Sequence, residues 1–288
     1  MNWFKRLLCK WFKINCPTPP PDVPIVPCRP GLLFGYFGVQ DGQMPEVGDH
    51  TNIAMIGSWG DWTSPEGRAA LTDTMVRYAH EALAAGVDRI MFTVDWCLFT
   101  QTNPRKLLPE QTAVSRLVAF FDRLRTEGLD THAFAWYLVD EPNIPEVNLS
   151  EQQMTSAIAT FRGVANSAQF PSLNNLPIGV IYGGTHSGRP GIHSIDWAGI
   201  DNYGAPIFTN GEYDALVAQL VPGQHTILVP GGNDPWREDP VPFYNYAQTD
   251  PWALMIMPFK WFGNDGIGQN GMAPQYRTVG QLVKTATP

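Results

Sequence analysis

From residue 31 onward, short apolar runs alternate with longer stretches whose apolar positions recur every three or four residues. Repeated strand–helix units produce that rhythm. Eight strand candidates emerge: Leu32–Val39, Asn52–Ser58, Arg89–Asp95, Thr131–Val139, Ile178–Tyr182, Trp197–Asp201, Thr226–Pro230 and Ala253–Pro258. Pro65–Ala85 reads as a helix, with Ser64 as its cap, Pro65 in the first turn and Gly86 as its stop. Glu110–Glu127 gathers Val114, Leu117, Val118, Phe121 and Leu124 on one face, and Gly128 follows it. Ser150–Ala168 opens with Ser150 and Gln153 at capping-box spacing. Glu212–Leu220 and a final short helix over Thr278–Lys284 complete the set. Between the first two strands the pattern shows no clear helix, only a loop rich in Gly, Pro and Asp.

The expected fold is α/β: a single (β/α)₈ barrel over residues 31–288. About 250 residues is typical of one such barrel, so the 288-residue chain has room for one and a short extension. An open doubly wound sheet fits less well. No Gly-rich phosphate loop follows the first strand, and polar residues recur after many strands.

The N-terminus follows a different pattern. Trp3, Phe4, Leu7, Leu8, Trp11 and Phe12 recur at helical spacing with Lys5, Arg6, Lys10 and Lys13 between them, a basic amphipathic helix over residues 1–16. Its apolar stretches are too short for a membrane span and do not resemble a secretion signal. Residues 17–30 form a Pro-rich linker, extended and semi-rigid. Residues 1–14 are expected to anchor the barrel to a membrane surface or a protein assembly; the plainer alternative is a helix packed under the barrel. A place in a cell envelope or a virion would suit such an anchor.

Composition narrows the function. The net charge of −8 disfavours nucleic acid as a partner. Of the four cysteines, Cys9, Cys16 and Cys28 precede the barrel without zinc-site spacing; a Cys16–Cys28 disulfide stays open, and Cys97 reads as a lone buried thiol. The six histidines form no metal-binding pair and no Gly-x-Ser-x-Gly elbow occurs, so no cofactor is expected. Ten Trp, nine Tyr and fifteen Phe supply more rings than a core alone asks for, and flat rings suit sugar faces.

Chemistry in such a barrel sits at the C-terminal ends of the strands. The residues there are Trp59, Asp61 and Trp62; Asp95 and Trp96; Asp140, Glu141 and Asn143; Thr185 and His186; Asp201, Asn202 and Tyr203; Asn233, Asp234 and Trp236; then Lys260 and Trp261. Acids can cleave a glycosidic bond and tryptophans can stack on sugars. Several of these acids are also expected as ordinary caps and turns. Strict alternation along the fourth strand points Glu141 into the mouth and Asp140 toward the helix layer or an adjacent strand end. Burial beside Trp136, Tyr137 and Trp261 would raise the Glu141 pKa, as a general acid requires.

The run AWYLVDEPN at 135–143 resembles the strand-4 signature of the clan of retaining (β/α)₈ glycoside hydrolases, a strand ending in Asn-Glu-Pro. The resemblance implies that Glu141 is the general acid/base, with Asp140 where the clan has Asn. GIDNYG at 199–204 is similar to the clan's sixth strand, with Tyr203 as its aromatic, and PFKWFG at 258–263 to an eighth strand carrying a sugar-stacking Trp261. The clan places a nucleophilic Glu at the end of strand 7; here ILVPGGND ends without one. The second carboxylate is then Asp234, Glu238, Asp95 or Asp201, or the site only binds. Retaining chemistry needs the two carboxyls about 5–5.5 Å apart and inverting chemistry about 6.5–9.5 Å.

The expected function is a glycoside hydrolase acting on a poly- or oligosaccharide. Glu141, Asp234 and Asp140 are its catalytic candidates, and Trp59, Trp62, Asp95, Trp96, Asn143, Asp201, Tyr203 and Trp261 shape its carbohydrate site. The alternative is a barrel that has lost its nucleophile: a tethered, non-catalytic glycan-binding or structural module.

Overall fold

The computed structural model describes residues 28–39, 42–57, 60–184 and 188–286. The amphipathic segment 1–16, most of the linker, Trp59, Thr185 and His186 lie outside the described residues. The linker's last residues dock on the barrel: the Arg29 amide donates to Gln248 Oε1 at 2.5 Å and its guanidinium to the Asp250 carbonyl at 2.7 Å.

The strands are β1 (Leu33–Phe34), β2 (Ala54–Ile56), β3 (Ile90–Thr93), β4 (Ala133–Asp140), β5 (Ile178–Gly183), β6 (Trp197–Asp201), β7 (His225–Leu228) and β8 (Ala253–Ile256). All pair in parallel, in the order β1-β8-β7-β6-β5-β4-β3-β2. The sheet curls into a single (β/α)₈ barrel. Its seam lies between β1 and β2, where one side chain does the work of a ladder. Asn52 accepts from the Phe34 amide at 2.8 Å and donates to the Leu32 carbonyl at 3.0 Å, while its own amide donates to the Phe34 carbonyl at 3.1 Å.

The described helices are α1 (Met44–Val47), α2 (Pro65–Ala84), α3 (Asp95–Leu98), α4 (Glu110–Thr126), α5 (Glu151–Ala165), α6 (Glu212–Val217), α7 (Pro240–Thr249) and α8 (Ala273–Ala286). Local chemistry fixes their starts. Ser64 accepts from the Gly67 amide at the head of α2, and Ser150 and Gln153 close a full capping box on α5. No full helix follows β1, in keeping with the loop expected there; α1 has four residues. The terminal α8 covers that gap. A side chain at Gly280 would stand 2.2 Å from the His50 carbonyl, so only glycine lets the helix come this close to the loop under it.

Two apolar layers result. Leu33, Met55, Met91, Tyr137, Ile227 and Met255 fill the barrel. A larger layer joins strands to helices, and there Trp136 is fully buried against Phe92, Phe121 and Phe161. Truncating a ring so buried typically costs about 3–5 kcal/mol.

Candidate active site

The barrel mouth is built around β4, and β4 breaks its own alternation. Tyr137 pairs with Gly179, but Asp140 pairs with Ile181, so three steps on β4 match two on β5. The extra residue turns both Leu138 and Val139 into the outer layer. Asp140 is thereby returned to the side of Tyr137, whose hydroxyl donates to its Oδ1 at 2.5 Å. This departs from the expectation for Asp140, which lines the mouth cavity of about 210 Å³. Glu141 stands one step beyond the ladder at φ 42°, its amide held by the Ile181 carbonyl at 2.9 Å. Its carboxyl is half-buried and lies within electrostatic reach of Asp201, Tyr203 and Tyr137. A left-handed non-glycine residue costs on the order of 1–3 kcal/mol, and such strain gathers at functional sites.

The cavity lies toward β2 and β3. Met55, Phe37 and Thr93 line it with Trp62, Asp95 and Arg105. Arg105 was not singled out from the sequence. It pairs with Asp95 at 2.8 Å, its guanidinium lies 5.2 Å from the centre of the Trp62 ring, and its charge bears on Asp140. Its only sequence signal is a cation within the polar run TQTNPRK after the third strand. Gln101 locks the two loops together, accepting from the Trp62 amide at 2.9 Å and donating to the Gly60 carbonyl at 2.7 Å.

Burial governs the acids. It pushes Asp140 up to about 7; Glu141 and Asp95 add to the rise, while the Tyr137 hydroxyl and Arg105 oppose it. It pushes Asp201, at the end of β6, up to about 8, against the Tyr203 hydroxyl and with help from Asp140, Glu141 and Glu238. Burial also raises Glu141, with a contribution from Glu146, and raises Asp95 despite Arg105. Asp201 Oδ1 and the Tyr203 hydroxyl are buried without a hydrogen bond of normal geometry, as are Trp62 Nε1 and Thr93 Oγ1 in the cavity wall.

Other expected site residues take different positions. Asp234 is 36% exposed and bound to the Arg237 guanidinium, which holds its carboxyl below the usual range. Glu238 accepts from the Gly231 amide at 2.5 Å and the Gly204 amide at 3.2 Å, tying the loops after β6 and β7 together. Asn143 clamps β5, with Oδ1 accepting from the Gly183 amide and Nδ2 donating to its carbonyl, both at 2.9 Å. Trp96 is buried against Phe120. Trp261, expected at the mouth, is 2% exposed in the outer layer, packed on Tyr36 and His50, with Nε1 donating to Glu46 at 3.0 Å. Burial does raise the Glu141 carboxyl, while Trp136 and Trp261 both lie in the outer apolar layer. Among the described residues, the exposed indole is Trp236, 42% exposed and resting on the Tyr203 ring at 4.8 Å.

No protein-family model matches the chain, and no curated protein matches it. Solved structures do. A glycoside hydrolase family 30 subfamily 8 xylanase from Clostridium acetobutylicum superposes with TM-score 0.53 at 14% identity, over 90% of this chain and 72% of that one. A catalytic mutant of a family 42 β-galactosidase from G. stearothermophilus gives TM-score 0.52 at 10% identity, over 88% of this chain and 56% of that one. A family 17 β-1,3-glucanosyltransferase from Rhizomucor miehei gives TM-score 0.50 at 9% identity, over 80% and 86%. At these identities the likeness is one of fold.

Proposed function

We propose that this barrel is a glycoside hydrolase acting on a poly- or oligosaccharide, with Glu141 as the acid/base and Asp201 as the second carboxyl. The carrying observation is the group Asp140, Glu141 and Asp201 at the C-terminal ends of β4 and β6, each with its pKa raised by burial, with Glu141 adding to the rise at Asp140 and both adding to the rise at Asp201. Glycosidic cleavage uses two carboxyls: one protonates the leaving oxygen while the other serves as base or nucleophile.

Among the four candidates for the second carboxyl, Asp201 is the one whose carboxyl faces a neutral hydroxyl, that of Tyr203. Asp234, Glu238 and Asp95 are committed to Arg237, to two amides and to Arg105. The carbohydrate-active names of the three barrels above agree with this reading. Substrate hydroxyls would meet Asp140, Thr93 and Trp62 in the cavity, and Trp236 offers the exposed ring for stacking. The basic segment 1–16 serves as the tether to a membrane surface or assembly; removing residues 1–27 should abolish that attachment and leave cooperative melting unchanged.

A second reading, a glycan-binding module without turnover, is favoured by one observation: past the end of β7 a side chain at Gly231 would collide with the Tyr203 ring. Reducing-end release from a panel of polysaccharides decides between them. Wild type should cleave at least one, and Asp201→Asn should lose about 10²–10⁴-fold in rate. A wild type that binds a glycan and releases no ends would establish the second reading.

A further inference from the structure

The mouth cavity is walled on one side by a locked hairpin. After α3 the chain doubles back over residues 99–107, with Phe99 and Leu107 paired as an antiparallel bridge. The Thr100 amide donates to the Lys106 carbonyl at 2.9 Å, and the Lys106 amide donates to Thr100 Oγ1 at 2.9 Å. Both flanks of the tip are tied down. Gln101 holds the loop after β2 through the Trp62 amide and the Gly60 carbonyl. On the other flank the Arg105 amide donates to the Val147 carbonyl, in the loop after β4, at 3.1 Å. The Arg105 guanidinium is bound to Asp95, just past β3. One hairpin therefore runs across the ends of three neighbouring strands.

The cavity lies behind it. Phe37, Met55 and Tyr137 of the barrel's inner layer line it, and Gln101, Thr102, Asn103 and Arg105 supply its hairpin side. Asp140 lines it at the end of β4, one residue from Glu141. Its volume of about 210 Å³ falls below the about 300–1,000 Å³ of sites for drug-sized ligands, which leaves room for a single sugar ring. A sugar inside a chain carries two linkages that must leave a site in two directions, whereas a terminal sugar carries one. A one-ring space behind a tied wall suits the terminal kind. We propose that this cavity takes the terminal sugar of a glycan, so that the barrel works on chain ends and not on chain interiors. The chain then enters from the side of Asp140 and Glu141, which brings its first linkage to the acid/base. Cleavage at that linkage rests on the hydrolase reading; terminal binding does not.

β-1,3-Glucan, xylan and β-galactan, each as the polymer and as its hexasaccharide, test this. Binding is titrated on Glu141→Gln, so that turnover does not interfere. For at least one pair, polymer and hexasaccharide should bind with the same Kd per chain. A site open at both ends would instead favour the polymer in proportion to its number of sugars. With wild type, the first product from that polymer should be one released sugar, with little loss of viscosity. A protein that shows end binding and no cleavage would refute the hydrolase reading and uphold the terminal site. Gln101 is exposed, and Gln101→Ala unties the hairpin from the loop after β2. That variant should melt cooperatively, release oligosaccharides among its first products and bind the polymer more tightly per chain than the hexasaccharide. Mixed oligosaccharides released by wild type from the start would overturn the proposal. So would affinity per chain that rises with length behind the intact hairpin, no binding to any of the three pairs, or a Gln101→Ala protein indistinguishable from its parent.

Discussion

Tyr203 lies so close over the end of β7 that a methyl group on Gly231 would stand 2.6 Å from its Cδ1. The phenol ring stacks on Phe259 at 5.8 Å and supports Trp236 from below. The Tyr203 ring, two residues past β6, thus fills the space into which a side chain at Gly231 would project. Gly231→Ala must displace that ring, and overpacking of this kind costs about 1–3 kcal/mol. Urea denaturation should show the loss, and wild-type stability in that variant would mean that Tyr203 moves aside freely.

Burial of Asp140 and Asp201 sets a pH dependence whose sign is fixed. Their folded pKa values of about 7 and about 8 exceed the unfolded value of about 3.9, so the folded state binds more protons. Their contribution is therefore fully present below about pH 4 and lost as pH rises through about 8. Asn at 201 cannot ionise. Between about pH 5 and about pH 9 the melting temperature of Asp201→Asn should fall less than that of wild type. Parallel curves would show that Asp201 does not titrate in this range.

Tyr137→Phe removes the hydroxyl that holds Asp140 down. The Asp140 titration should move upward, visible in carboxyl-carbon NMR, and stability should fall by about 1 kcal/mol, the usual net worth of one hydrogen bond. A downward or absent shift would show that Asp140 draws nothing from Tyr137.

Two tryptophans should part company on truncation. Trp236→Ala removes an exposed ring and should leave stability within about 0.5 kcal/mol while weakening glycan binding. Trp261→Ala empties a buried site and should cost about 3–5 kcal/mol, with any loss of binding following loss of fold. Glycan affinity electrophoresis beside thermal melts separates the two, and a Trp236→Ala protein with unchanged affinity would remove that ring from the site.

The barrel was legible in the sequence because each buried parallel strand is a short apolar run bounded by turn residues, as in Ile178–Gly183. Capped helices were equally plain: Ser64 and Ser150 mark their starts to the residue. Helix α7, opening Pro240-Val241-Pro242, read as loop because prolines suit its first turn and look like breakers elsewhere. Side-chain direction at the mouth was not legible. The slip between Tyr137 and Asp140 arises from pairing with β5, which alternation along one strand does not encode. Trp261 faces the outer layer because Tyr36, His50 and Glu46 receive it there, and all three are distant in sequence. Arg105 gained its place only when the loop bearing it folded back on Asp95.

In the proposed reaction Glu141 exchanges a proton with a glycosidic oxygen. The most direct test is kcat/KM for Glu141→Gln on aryl glycosides of the sugar that wild type cleaves, across a range of leaving-group acidity. Gln keeps the shape and loses the proton. The rate should fall about 10²–10⁴-fold for poor leaving groups and recover progressively as the leaving group becomes more acidic, with binding retained. Rates equal to wild type across the series would contradict the account.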